Sequence, residues 1–331
     1  MDYKKTLIYK DINEIPELIE KFKLNNKLKK FLKTEEVFLL GRGSSGNATI
    51  FAKYIWEIYC GIIVNFIHPH SIFNAEKKLN FKNRLVFSFS QSGRSNDIVE
   101  CSRILKKWGG ALISITNEPE LSANNLAKIS DLHILLSDSK EIAVAATKSF
   151  TMQLYSILAI AGYWNAKFSK KSISSISNDI KRTINIFDKF YEENNLYDLI
   201  KKSGMIGFVG RGPLNSIAED SALKFREMAS KHSMGYSAAE FLHGPIGSYG
   251  KNDLVFILSK DKRLSSDLLK VIDKLKERNT KFKMIYPLYG SYPLNSLALD
   301  VLIKLIALKY ACQSGLNPDS PKGLSKVTQT K

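Results

Sequence analysis

Short apolar runs bounded by polar or glycine-rich turns punctuate the first half of the chain: VFLL at 37–40, GIIVNF at 61–66, LVFSFS at 85–90, ALISIT at 111–116 and LHILL at 132–136. Between them lie amphipathic stretches such as IVECSRILKKW, whose apolar residues recur at helical spacing. Strands covered on both faces read as continuous apolar runs, so this alternation predicts an α/β fold with a parallel, doubly wound sheet flanked by helices. The pattern returns in the second half, where MIGFVG, LVFIL and FKMIYP are strand candidates and LNSLALDVLIKLIALKYA is a strong terminal helix. The polar stretch from Ser169 to Asp179 opens a connecting helix and sets a domain boundary near residue 170. The expected domains are therefore 1–170, with an N-terminal helix, and 171–331. The run FTMQLYSILAIAGYW at 150–164 contains Gln153 and is shorter than a membrane span, so it reads as a buried helix.

Two segments echo each other: VFLLGRGSSGNATIFAKY at 37–54 and IGFVGRGPLNSIAEDSAL at 206–223. Each is an apolar strand, then Gly-Arg-Gly, then a helix, which points to two α/β halves built on one plan. Behind the strand LVFSFS stands the turn QSGRSND, where Ser90, Gln91, Ser92 and Ser95 offer side-chain donors ahead of a helix. A helix N-terminus carries unpaired N–H groups and partial positive charge, so such a turn suits a phosphate; the plainer reading is a βα turn with serine as helix cap. Gly41, Gly43 and Gly46 match GxGxxG after a strand, the pattern of a dinucleotide site. The next strand, however, lacks the acidic residue that would hold an adenosine ribose. GRGSSGN is then either a tight βα turn or a second wall of the crevice formed by the 90–95 turn, with Ser44 and Ser45 facing it.

Lys and Arg number 49 against 32 Asp and Glu, a formal net charge of +17. The basic residues are scattered, mostly Lys, and form no aromatic-interleaved stripe, which argues against nucleic acid and for solvated surface. Cys60, Cys101 and Cys312 have neither CxxC spacing nor an even count, which fits a reducing cytoplasm. The N-terminus lacks the apolar core of a signal peptide, and no membrane partner is expected. His68 and His70 flank Pro69 without a companion motif, so no metal site is expected.

GRGSSGN, SFSQSGRSND, EIAVAATKSFTMQL, VGRGPLNSIAEDSALKFREM, AEFLHGP and PKGLSKVTQT, in that order, resemble the sugar isomerase (SIS) family. The resemblance runs from about residue 30 to the C-terminus and implies two tandem SIS domains binding a phosphosugar. It implies that Ser45, Ser90, Gln91, Ser92 and Ser95 bind the phosphate. Glu227 matches the carboxylate that moves a proton between C1 and C2. His243 matches a histidine that assists ring opening from the neighbouring subunit, which implies a homodimer. Lys326 matches a C-terminal lysine that contacts substrate and can form an imine with an open-chain ketose. Lys224, one helical turn before Glu227, matches a further active-site lysine.

These residue types suit aldose–ketose chemistry, which needs an opened ring, a base that carries hydrogen between adjacent carbons, and stabilisation of an enediol-like charge. Taken singly, Glu227 could be a surface helix residue, His243 a helix-end cap and Lys326 part of a basic tail. Against the family's synthase pattern, Arg94 replaces an acidic residue after SQSG, and the tail KGLSKVTQTK resembles deaminase-type members. No glutaminase domain or cysteine near Met1 is seen. The expectation is a cytoplasmic enzyme converting glucosamine 6-phosphate to fructose 6-phosphate and ammonia without a cofactor. The alternatives are a fructosamine-6-phosphate deglycase, an isomerase of another amino sugar phosphate, or a non-catalytic sugar-phosphate sensor.

Overall fold

A computed structural model describes residues 1–326 of the chain. The chain divides into two compact units. One comprises Glu17–Ile142, Lys148–Ile173 and the segment from Ser325; the other comprises Met1–Pro16, Ala143–Thr147 and Ser174–Leu324. Helix α1 (Leu7–Lys21) contributes residues to both.

The unit around the first sheet runs β1 (Glu36–Leu40), α2 (Gly43–Cys60), β2 (Ile63–Phe66), α3 (Pro69–Phe73), β3 (Leu85–Ser90), α4 (Asn96–Lys107), β4 (Ala111–Thr116), α5 (Asn125–Ile129), β5 (Leu132–Leu135), α6 (Lys148–Ala161) and α7 (Lys170–Ile173). Its strands are parallel in the order β2-β1-β3-β4-β5, with Val37 opposite both Val64 and Leu85. Successive strand residues point to opposite faces, and both faces are filled. On one, Phe87 packs against Trp56 of α2 at 5.1 Å between ring centres, and the Trp56 indole N–H donates to the Ile157 carbonyl of α6 at 3.1 Å. On the other, Val86 and Leu112 join Ile98, Val99 and Leu105 of α4 and Leu126 of α5.

The other unit runs α8 (Ser175–Glu193), α9 (Leu196–Lys201), β6 (Ile206–Gly210), α10 (Pro213–Ala229), β7 (Ser233–Ser237), α11 (Ala238–Leu242), β8 (Leu254–Leu258), α12 (Ser266–Glu277), β9 (Lys281–Ile285) and α13 (Ser296–Gln313). These strands are also parallel, in the order β7-β6-β8-β9. Phe208 stacks on Phe256 at 5.1 Å and meets Phe225 of α10 at 5.0 Å, while Val209, Val255 and Ile257 face Phe241, Leu268 and Val271. The terminal helix α13 is buried all round, as its apolar sequence requires, and its charges are paired: Lys304 lies 2.6 Å from Asp300 and donates to the Thr147 carbonyl at 3.0 Å.

Every apolar run named above as a strand candidate contributes a strand, and the 150–164 run lies largely in α6, which is buried along nearly its whole length. The polar stretch from Ser169 forms α7 and the start of α8. Strand β7, SMGYS, carries no apolar pattern and was not expected. Its character follows from packing: a Cβ on Gly235 would lie 2.4 Å from the Glu219 Cα of α10, so the strand needs a residue without one. Among the described residues no helix is long and apolar enough to cross a membrane.

Candidate active site

In the first sheet the chain leaves β1 for β2 on one side, then returns to β3 on the other. The connections after β1 and β3 therefore diverge, leaving the crevice at the carboxyl ends of adjacent strands where open α/β sheets take ligands. GRGSSGN and SQSGRSND occupy those two turns. Arg42 bridges them: its Nε donates to Asp97 Oδ2 at 2.7 Å, and Asp97, in the first turn of α4, is buried.

The hydroxyls are oriented by the protein itself. Ser90 Oγ accepts from the Gly93 amide at 3.1 Å, Ser92 Oγ from the Arg94 amide at 3.2 Å, and Ser45 Oγ, in the first turn of α2, from the Gln153 side chain at 2.9 Å. A hydroxyl that accepts one hydrogen bond still has its own hydrogen to donate, so these three are arranged as donors. Gln91 is half-buried in the turn, and its carbonyl accepts from the Asn117 amide at 2.9 Å. Gly93 has φ +64°, and a Cβ there would lie 2.0 Å from Asn124 Oδ1. Asn124 is fully buried and bonded to Thr116, Glu118 and the Ala127 amide, so the turn rests on a rigid support. Ser95 stands at the N-cap of α4 but makes no side-chain capping bond, so the plain helix-cap reading does not describe it. Asp97 likewise directs its carboxylate to Arg42 and its neighbouring Ile98 amide.

Lys326 belongs to the same unit. Its Nζ lies 3.0 Å from Glu141 Oε2, and that buried carboxylate also accepts from the Ser149 amide at 3.1 Å and the Ser149 hydroxyl at 2.8 Å. In the other unit, Lys224 and Glu227 sit one turn apart on α10 and form an ion pair. Lys224 is buried, whereas the Glu227 side chain is 24% exposed, an open carboxylate beside an enclosed ammonium. Asp220, buried one turn earlier, shares their helix face. His243 is the exposed C-cap residue of α11. The structure thus groups Ser45, Ser90, Gln91, Ser92, Ser95 and Lys326 in one unit and Lys224, Glu227 and His243 in the other.

The repeated Gly-Arg-Gly turn makes the same latch in the second sheet, Arg211 Nε to Asp267 Oδ2 at 2.9 Å. There Pro213 and Leu214 stand in place of Ser44 and Ser45, and Asp261 puts a carboxylate in the loop after β8. That turn has no counterpart of Ser44 and Ser45, although Ser259, Ser265 and Ser266 follow β8. Burial pushes the thiols of Cys60 and Cys312 up to about 11 and that of Cys101 up to about 12, which favours the neutral thiol over the thiolate at neutral pH. Sequence reasoning missed Glu141, Gln153, Asn124 and the Arg42–Asp97 latch. Gln153 stood out as a lone amide in an apolar run, and Glu141, Arg42 and Asp97 lie within the motifs quoted above.

Parallel sheets flanked by helices, with a hydroxyl-bearing crevice at a switch point, define a doubly wound α/β protein with a ligand-type crevice. The chain belongs to the SIS domain family, whose model matches residues 30–162 and 199–287. It is 34% identical over 283 residues to glutamine–fructose-6-phosphate aminotransferase (isomerizing) of Wigglesworthia glossinidia brevipalpis, covering 83% of this chain and 44% of that protein. The corresponding protein of Sulfurisphaera tokodaii is 31% identical over 96% of this chain and 52% of its own. The chain therefore spans about half the length of the curated relatives it matches. Among solved structures, glucosamine-6-phosphate deaminase from Thermotoga maritima superposes with a TM-score of 0.81 at 27% identity, covering 98% of both chains. The C-terminal domain of glucosamine-fructose-6-phosphate aminotransferase from Francisella tularensis gives 0.83 at 22% identity, over 96% of this chain and 98% of that one.

Proposed function

We propose that the chain comprises two tandem SIS domains and converts glucosamine 6-phosphate to fructose 6-phosphate and ammonia. The observation that carries the reading is the cradle of Ser45, Ser90 and Ser92, each accepting from the protein and left with a hydrogen to give. A dianionic phosphate suits those donors and the N-termini of α2 and α4. His243 opens the sugar ring. Glu227 then takes the C2 proton of the open-chain aldose and returns it to C1, giving the fructosimine. Water adds to the C2 imine and ammonia leaves. Lys224, held against Glu227, orients the carboxylate and offsets charge on the enediol-like intermediate. The exposed position of His243 on a short helix suits its delivery to a second copy of the chain in a homodimer.

Extended likeness to the Thermotoga maritima deaminase and the KGLSKVTQTK tail support the deaminating direction. The identity with the aminotransferases favours a second reading, the isomerase half of such an enzyme, making the amino sugar from fructose 6-phosphate and delivered ammonia. Product release from a panel of amino sugar phosphates separates the two. Fructose 6-phosphate and ammonia appearing in equal amounts from glucosamine 6-phosphate supports the deaminase. No ammonia from any member of the panel rejects it.

A further inference from the structure

We propose that Glu141 is a positioning residue for Lys326, fixing the tail lysine to the same helix that orients the phosphate cradle. The inference rests on the functional reading above and deepens it. Glu141 lies in the loop after β5 with its side chain wholly enclosed. A carboxylate removed from water needs donors or a cation, and this one has both. Ser149 supplies an amide and a hydroxyl from the first turn of α6, where unpaired N–H groups and the helix dipole favour an anion. Lys326 Nζ supplies the cation at 3.0 Å. The loop is stapled to the same helix end by Lys148, whose Nζ donates to Ser139 Oγ at 2.9 Å and the Lys140 carbonyl at 3.0 Å.

Four residues beyond Ser149, on the same face of α6, Gln153 donates to Ser45 Oγ. One rigid helix thus references both a phosphate-binding hydroxyl and the tail lysine. A free lysine side chain carries about 2 kcal/mol of rotamer entropy, which the Glu141 contact removes before substrate arrives. Misplacing a reacting group by about 1 Å costs on the order of 100-fold in rate, so a lysine at a chain end profits from such an anchor. Glu141 itself is turned to Lys326 and α6 and acts through them.

The test uses Glu141→Gln in the full chain, with folding checked by circular dichroism. Ammonia release from glucosamine 6-phosphate is expected to lose about tenfold or more in kcat while KM stays within about threefold, since the serine cradle still binds phosphate. An unchanged kcat, or equal effects on both parameters, overturns the proposal. Lys326 is also followed by mass spectrometry during brief amine labelling. Faster labelling of Lys326 in the variant, with the exposed Lys189 unchanged, is expected. Equal labelling overturns the anchor even if the wild-type chain acts on no amino sugar phosphate, an outcome that rejects the functional reading alone. Should Glu141→Gln not fold, Glu141→Asp, which keeps a charge beside Ser149 but draws the carboxylate back from Lys326, is read by the same split and the same labelling.

Discussion

A serine hydroxyl that already accepts an N–H is a directed donor, and three such hydroxyls within one crevice are a stronger signal for an oxyanion than serine content alone. The roles of the individual serines differ. Ser90 and Ser92 also hold the turn, because the Gly93 and Arg94 amides have them as partners. Ser90→Ala therefore leaves a buried N–H without that partner, at a cost of about 1–3 kcal/mol in stability as well as affinity. Ser95 carries no capping bond, so Ser95→Ala is the cleaner probe. Calorimetric titration with fructose 6-phosphate is expected to show binding weakened about tenfold or more, with Tm and the weak binding of unphosphorylated fructose unchanged. A lowered Tm with unchanged affinity would make Ser95 a folding residue. The hydroxyls themselves were legible in the sequence because they are local to two short βα turns. The pairing of Glu141 with Lys326, 185 positions away, was not, because only tertiary structure joins them.

At the scale of elements, strands were read easily where both faces are buried, since such strands must be apolar throughout. Strand β7 escaped because α10 approaches it so closely that its packing face is Ser233 and Gly235, which leaves no hydrophobic pattern to read. The helices of that unit are tied by charges that sequence spacing does not reveal. Asp188 of α8 receives Tyr3 at 2.7 Å, Lys4 at 2.6 Å and Lys309 of α13 at 2.9 Å. Burial opposes ionisation of Asp188, yet the bonds from Lys4, Lys309 and Tyr3 outweigh it and hold its pKa down to about 2 from 3.8. Because the folded value is depressed, the stabilisation is complete above the unfolded value and is lost as pH falls through the folded one. Asp188→Asn is therefore expected to lower stability by a constant amount above about pH 4, the difference from wild type shrinking toward pH 2. Urea unfolding at several pH values measures it. A difference independent of pH across that window would remove the ion pairs from the account.

For the whole molecule, a shared plan with unequal chemistry is the informative feature. Both sheets carry the Gly-Arg-Gly latch, Arg42 to Asp97 and Arg211 to Asp267, but only the first follows it with serines, Ser44 and Ser45, where the second has Pro213 and Leu214. The repeated strand, Gly-Arg-Gly and helix were visible in the sequence, whereas the latches appear only once the turns are folded. The homodimer reading has its own assay. Glu227→Gln and His243→Ala chains are each expected to be inactive, and refolding them together should restore roughly a quarter of wild-type activity, because half the sites in mixed dimers combine an intact Glu227 with an intact His243 from the other copy. No recovery would place both residues in one subunit's site. The proposal turns most directly on Glu227 as the group that moves the proton. Ammonia release from glucosamine 6-phosphate by the Glu227→Gln protein, with binding of the sugar phosphate verified beside it, is expected to fall by about 100-fold or more while affinity is retained. Turnover at the wild-type rate in that variant would contradict it.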